Sequence, residues 1–321
     1  MSNILKRARE DLLAGIEGRR GDGPPEGLYR GLEGVLVDET ALSHVDGEAG
    51  KLVYHGYAIE DLARKASFEE VLYLLWNGRL PDADELETFE TEMAADRSLG
   101  DHTHEIIRLL AAVDESPMAA LRTAVSALSA SDPTPDAPPD DRDNARRAGR
   151  RIAAKMPTIL AAYDRRRNGL DPIPPRPDLS HAANFLYMLT GEEPPAVNAE
   201  AFDMALVLHA DHGLNASTFT TMVVASTYAD MYNAVTAGIG ALSGPWHGGA
   251  NQDVMETLAE IEASNDDPVE WAERTLEAGE RIPGFGHRVY RVKDPRAKLL
   301  EAKAEELVAE TGRSKWFEMV R

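Results

Sequence analysis

The stretch from His212 to Gln252 carries one charged side chain, Asp230, in a chain whose residues are 28% charged. Such a segment is not an ordinary solvated surface: it is buried, or lines a site, or both. Nor is it plain core, because Ser, Thr, Asn and Gly are scattered through it. Histidines mark its edges, with His212 and His247 inside, His209 just before, and His287 in a Gly-rich turn downstream.

Around this segment the apolar spacing is helical from Ile59 onward. Ser67 and Glu70 form a capping box before VLYLLW, and Gly78 with Pro81 ends that helix. Ser116-Pro117 opens another, MAALRTAVSAL. Residues 131–144 (SDPTPDAPPDDRDN) read as an acidic, Pro-rich loop before a basic helix from Ala145. Residues 167–178 read as a second Pro-rich connection. Only Gly34–Tyr57 has β character, in short pieces punctuated by Gly and Asp. Residues 1–20 follow helical spacing, lack the apolar region of a signal peptide, and are broken by GDGPPE at 21–26. The expected architecture is all-α with a small β element near the N-terminus. No run of eighteen apolar residues suggests a membrane span, so a cytoplasmic protein is expected.

The net charge is −21, from 55 acidic and 34 basic residues. That argues against nucleic acid or an anionic membrane as main partner, since phosphates need a basic face. An anionic substrate would need a local basic pocket. The chain has no cysteine, which excludes disulfides, thiolate metal sites and a cysteine nucleophile. Of the cations, eight are Lys and 26 are Arg. A carboxylate-rich, Lys-poor surface suits concentrated salt, where repulsion among the carboxylates is screened.

Three constellations carry chemistry. In LHADHGLNAS (208–217), His209 and His212 are three apart and can share a helix face before the chain turns at Gly213. A zinc site with Asp211 and a buried helix end are both open readings, and the spacing matches no established zinc motif. In SGPWHGGAN (243–251), His247 precedes a helix, whose positive end favours a neutral imidazole able to donate to a developing oxyanion. Gly248 and Gly249 allow a ligand to approach the backbone, or simply make a tight helix start. In RIPGFGHRVYRVKDPRAK (281–298), six cations fall within eighteen residues and Asp294 is the only acid. That strip suits a phosphorylated cofactor and a carboxylate substrate.

Together these motifs resemble the citrate synthase family, of the archaeal and bacterial short-chain type. The resemblance runs through GLEGVLVDETALSHVDGEAGKLVYHGYAIEDLA (31–63), SFEEVLYLLWNGRLP (67–81), SPMAALRTAVSAL (116–128), KMPTILAAY (155–163), HAANFLYML (181–189) and PGFGHRVYRVKDPRA (283–297). It implies a helical, two-domain homodimer with its site in the cleft between domains. The boundaries would be an N-terminal extension (1–26), a large domain (27–248) and a small domain (249–321). It implies an acyltransferase that condenses acetyl-CoA with oxaloacetate to give citrate and CoA, acetyl-CoA being a substrate, with no tightly bound cofactor and no metal. Position by position, His212 would bind oxaloacetate, His247 would stabilise the enol of acetyl-CoA, and His287 would polarise the oxaloacetate carbonyl. Arg296 would hold a carboxylate. Ile282, Pro283, Gly284, Phe285 and Gly286 would cover coenzyme A, with Arg291 a phosphate contact. Asn215 and Ser217 would support the histidines.

The sequence departs from the family at three places. The family's base is an aspartate in a later segment resembling PNVD, followed by further arginines, and this sequence ends at SKWFEMVR before it. A truncated chain, inactive or nearly so, is the expectation. Trp246 stands where an aliphatic residue is usual, and residues 1–26 are an addition. Three competing readings are 2-methylcitrate synthase using propionyl-CoA, a non-catalytic paralogue binding CoA or oxaloacetate, and a zinc hydrolase built on His209, Asp211 and His212.

The charge reading has a direct test. Between about 0.1 M and molar KCl the screening length falls from ~10 Å to ~3 Å. The thermal unfolding midpoint, followed by circular dichroism, is expected to rise steadily over that range.

Overall fold

The computed structural model describes residues 37–321 apart from Pro139, Trp246, Asn265, Gly286–Arg288 and Arg321. The expected N-terminal helix, the 1–26 extension and the Trp246, Gly286 and His287 assignments lie outside the described residues. Thr40–Arg321 form one unit, and everything below lies within it.

The β character of 34–57 becomes a three-stranded antiparallel sheet: β1 (Ser43–Asp46), β2 (Lys51–Tyr54) and β3 (Tyr57–Ala58). β1 pairs with β2 with Ser43 opposite Tyr54, and β2 pairs with β3 with Tyr54 opposite Tyr57. Asp46 Oδ1 accepts from the amides of Glu48 and Ala49 and so shapes the β1–β2 turn. The β2–β3 turn is His55-Gly56, both at positive φ, the geometry a tight hairpin demands.

Helices follow: α1 (Ile59–Lys65), α2 (Phe68–Asn77), α3 (Ala83–Asp96), α4 (Asp101–Ala112) and α5 (Pro117–Ala127). The caps read from sequence are present. Ser67 and Glu70 form the reciprocal box, Ser116 caps α5, and Gly78 ends α2 at φ 77°. A 3-10 turn (Leu128–Ser131) precedes α6 (Arg142–Arg167), which starts three residues before the expected Ala145 because Asp141 caps it. Next come α7 (His181–Thr190) and α8 (Ala196–His209). The nearly uncharged segment supplies α9 (Ala216–Ala225) and α10 (Met231–Leu242), capped by Asn215 and Asp230. The chain continues with α11 (Gly249–Ser264), α12 (Pro268–Glu277), α13 (Pro295–Thr311) and α14 (Lys315–Val320).

Of the apolar clusters among the described residues, two bear on the site. One joins α4, α5, α6 and α10 through Ile107, Leu121, Val125, Ile152, Ile159, Tyr163 and Ile239. The other joins β2, α1, α2, α8 and α13 through Leu52, Tyr54, Ile59, Val71, Leu74, Val207, Leu208 and Leu299. The second core fixes both ends of the site: α8 leads into the His212 loop, and α13 begins at the 294–296 turn. The uncharged segment is only partly buried. α10 contributes to the first core, whereas no residue of α9 is buried, and Val223, Tyr228 and Leu242 are exposed.

A buried polar cluster lies away from the site. Glu69 of α2 accepts the backbone N–H of His181 at 2.7 Å, and Arg97 donates to the carbonyls of Arg176 and Leu179. Burial, then the charge of Arg97, pushes the His181 imidazole down to about 4 from its usual 6.5. The folded state therefore takes up this proton less readily than the unfolded chain. The contribution of neutral His181 is complete above about pH 6.5 and is lost as pH falls towards 4. H181Q removes that loss. Urea unfolding at pH 7 and near pH 4 should show the stability difference between variant and parent moving in the variant's favour, by up to about 3 kcal/mol.

Candidate active site

The loop between α8 and α9 carries His212. Sequence spacing suggests that His209 and His212 share a helix face. Instead α8 ends at His209, the Ala210 amide caps it by donating to the Val207 carbonyl, and Gly213 adopts φ 69°. His209 turns back, its Nδ1 2.6 Å from the carbonyl of Ala205, and is exposed. His212 lies in the loop, half-buried, with Nε2 3.0 Å from the hydroxyl of Tyr290.

The loop backbone is held from below by Tyr54 of β2, which is 0% exposed. Its hydroxyl donates to the carbonyl of Asp211 at 2.8 Å and accepts from the amide of Asp211 at 3.2 Å. Burial pushes the Tyr54 phenol well above its ordinary value, so it remains an O–H. Asp211 Oδ1 then accepts from the amide of Gly213, which closes the turn.

Arg296 stands at the start of α13 and forms an ion pair with Asp294 at 2.7 Å. Both side chains are less than a fifth exposed. Burial alone would lower the arginine, but the hydrogen bond and charge of Asp294, with smaller contributions from Tyr290 and Tyr54, raise it. The four residues are thus electrostatic neighbours. The structure gathers His212, Tyr290, Tyr54 and Arg296 into one corner, with Arg296 as its fixed positive charge.

His247 occupies a second corner. Asn215 Oδ1 caps α9 by accepting from the amides of Ser217 and Thr218. Ser217 Oγ then lies 2.8 Å from His247 Nε2. This contact depends on close packing of α9 against α10: a Cβ on Gly238 would stand 2.5 Å from Thr221 Oγ1. α10 therefore approaches α9 closely, and its C-terminal turn delivers His247 over Ser217. His247 falls two residues before α11, as its spacing suggests. Gly248 is required sterically, since a Cβ there would lie 2.5 Å from Leu242 Cδ1 and 2.7 Å from the Leu242 carbonyl.

Of those expected near coenzyme A, residues 282–285 and Arg291 are among the described ones. Gly284 adopts φ 83° and faces Val254 of α11, while Phe285 is 72% exposed. Ile282 and Pro283 are half-buried beside it. Arg291 lies apart from both corners, exposed, with its Nε 3.9 Å from a Glu48 oxygen. The basic strip is less uniform than its sequence suggests. Arg296 is paired with Asp294 and Lys293 with Glu301, whereas Arg291 is an accessible cation only weakly held by Glu48. Residue types alone did not mark Tyr54 and Tyr290. Their signal was a buried phenol on a strand and a phenol inside the GFGHRVYRVKDPR turn.

Comparison with known proteins fits this architecture. A family model described as citrate synthase, C-terminal domain, matches residues 31–321. The citrate synthase of Haloferax volcanii is 60% identical over 293 residues, covering 91% of this chain and 77% of that protein. A 2-methylcitrate synthase of Mycobacterium tuberculosis is 42% identical over 297 residues, covering 91% and 73%. Among solved structures, citrate synthase from Pyrobaculum aerophilum superposes with TM-score 0.83 at 42% identity, covering 91% of this chain and 74% of that one. The Thermoplasma acidophilum citrate synthase in a ternary complex with carboxymethyl coenzyme A and oxaloacetate also gives 0.83, at 32% identity, covering 91% and 76%. These relationships define an acyltransferase-type helical protein. The chain belongs to the citrate synthase family.

The Tyr54 contact is directly testable. Y54F leaves both backbone groups of Asp211 without the hydroxyl. It is expected to lower the unfolding free energy by about 1–3 kcal/mol, measured by urea denaturation.

Proposed function

We propose that this protein catalyses the condensation of acetyl-CoA with oxaloacetate to citrate and CoA. The observation that carries the reading is His247, two residues before α11, held 2.8 Å from Ser217 Oγ and followed by a glycine pair packed tightly against Leu242 and Gly244. A C–H next to a thioester is a very weak acid. Its removal needs a base on carbon and a hydrogen-bond donor waiting for the carbonyl oxygen as it gains charge. His247 is that donor in this reading. The enol carbon then attacks the ketone carbon of oxaloacetate, forming one C–C bond as the ketone oxygen takes a proton, and His287 polarises that ketone. Water finally cleaves the thioester and releases CoA as the thiol.

His212 and Arg296 hold the dicarboxylate, and Asn215 and Ser217 keep the loop and His247 in place. Arg296 needs only to exchange part of its bond with Asp294 for a substrate carboxylate, a trade between charge-assisted hydrogen bonds. Ile282, Pro283, Gly284, Phe285 and Gly286 cover the thioester arm of CoA, and exposed Arg291 meets a phosphate. The carbon base is an aspartate in a PNVD-like segment that the 321-residue sequence does not contain.

The assembly proposed is a homodimer whose two domains, 27–248 and 249–321, close over the site. The exposed apolar side chains Val223, Tyr228 and Leu242 of the α9–α10 region suit burial against a second copy. Working in the cytoplasm at high salt fits the charge of −21. Among the described residues no helix is long and apolar enough to cross a membrane.

The test is thiol release from acetyl-CoA and oxaloacetate in molar KCl, read with a thiol reagent to which this cysteine-free chain is silent. The 321-residue chain should turn over poorly, and a version extended with the corresponding C-terminal segment of the Haloferax relative should turn over well. In the extended protein, H247A is expected to lower kcat by roughly 10²–10³, and R296K should raise KM for oxaloacetate. Full activity in the short chain would assign the base to an acid within residues 1–321. Propionyl-CoA run in parallel measures acyl preference; one methylene is worth roughly 10- to 200-fold, and faster turnover of propionyl-CoA would make the protein a 2-methylcitrate synthase.

A further inference from the structure

We propose that Tyr290 is a positioning residue that fixes the ring orientation and tautomer of His212 before substrate binds. The inference rests on reading His212 as an oxaloacetate contact, and its ring-level readout stands apart from that reading.

The argument begins with what the loop does not fix. Tyr54 and the Asp211 turn hold the backbone around His212, but an imidazole keeps two side-chain torsions of its own. A contact to the ring itself settles which nitrogen points where. Tyr290 makes such a contact, with its hydroxyl 3.0 Å from Nε2 and its ring meeting the imidazole edge-on, centroids 5.5 Å apart at 71°.

Tyr290 is itself rigid. It is 4% exposed. Its backbone is docked on the β1–β2 turn: the Arg291 amide donates to the carbonyl of Gly47 at 2.9 Å, and a Cβ on Gly47 would stand 2.2 Å from the Val289 carbonyl. The turn thus closes against residues 289–291 only because position 47 lacks a side chain. Burial, then the charge of Asp294, pushes the phenol up to about 12, so it presents a neutral O–H throughout the working range. Arg296 is among its electrostatic neighbours, so the phenol bonds one of the groups assigned to the dicarboxylate and feels the charge of the other.

A ring held this way does not lose rotational freedom again when ligand arrives, which favours binding. The effect expected from one neutral hydrogen bond is about three- to tenfold in affinity.

The test uses Y290F, which preserves shape, in protein labelled with 15N at histidine, with circular dichroism confirming the fold. Long-range 1H–15N spectra should show one dominant His212 tautomer in the parent and an altered tautomer ratio in Y290F, while buried His181 stays unchanged. Titration calorimetry with oxaloacetate should give a Kd three- to tenfold weaker in Y290F, and Y290F should add nothing once His212→Ala is present. Unchanged His212 ring signals in Y290F, or a Y290F penalty as large in the His212→Ala background, would overturn the proposal. If the parent protein fails to bind oxaloacetate, the functional reading falls, and the ring spectra alone decide the role of Tyr290.

Discussion

The site rests on one buried hydroxyl. Tyr54 comes from a four-residue strand in the second core, and its phenol both gives to and takes from the backbone of Asp211. A loop of six residues after α8 would otherwise leave its amides and carbonyls competing for water. Satisfying both backbone groups of Asp211 with one fully buried side chain ties the loop to the core, because an unmade buried hydrogen bond costs more than a made one returns. His212 inherits its position from that bond. α13 packs on the same core and brings Arg296 alongside.

The second corner depends on close approach instead. Gly238 lets α10 lie against α9, and the turn after α10 then has one place to go. Gly248 sits against Leu242 with no room for a methyl group, so His247 is held over Ser217 by steric closure as well as by a hydrogen bond. The two corners are joined by residues 212–217, which carry His212, Asn215 and Ser217 in succession. A displacement of that loop would move both histidines together, a natural arrangement for groups that act on two substrates in one event.

Much of the helical frame is legible because helix ends are local. Ser67, Glu70, Gly78 and Ser116 specify caps through contacts within four residues, and the structure contains each one. The start of α6 is less legible, since Asp141 lies inside an acidic run where any of several residues could cap. The shared helix face of His209 and His212 fails for a tertiary reason. The spacing permits it, but Tyr54 and Asp211 draw the chain out of the helix first. The uncharged segment marks the site, yet it does not predict that Val223 of α9 and Tyr228 just after it are exposed, because low charge cannot distinguish a core from a surface awaiting a partner.

The sequence by itself determined the helical class, the caps, the small sheet and the motifs that carry the family resemblance. All of these depend on residues close together in the chain. The tertiary structure decided which charges are spent and which are available. Asp294 engages Arg296 and Glu301 engages Lys293, while Arg291 remains accessible beside Glu48. It also decided that two tyrosines far apart in sequence, Tyr54 and Tyr290, converge on one loop. Burial, ion pairing and ring orientation are properties of neighbours brought together by packing, and no local spacing encodes them.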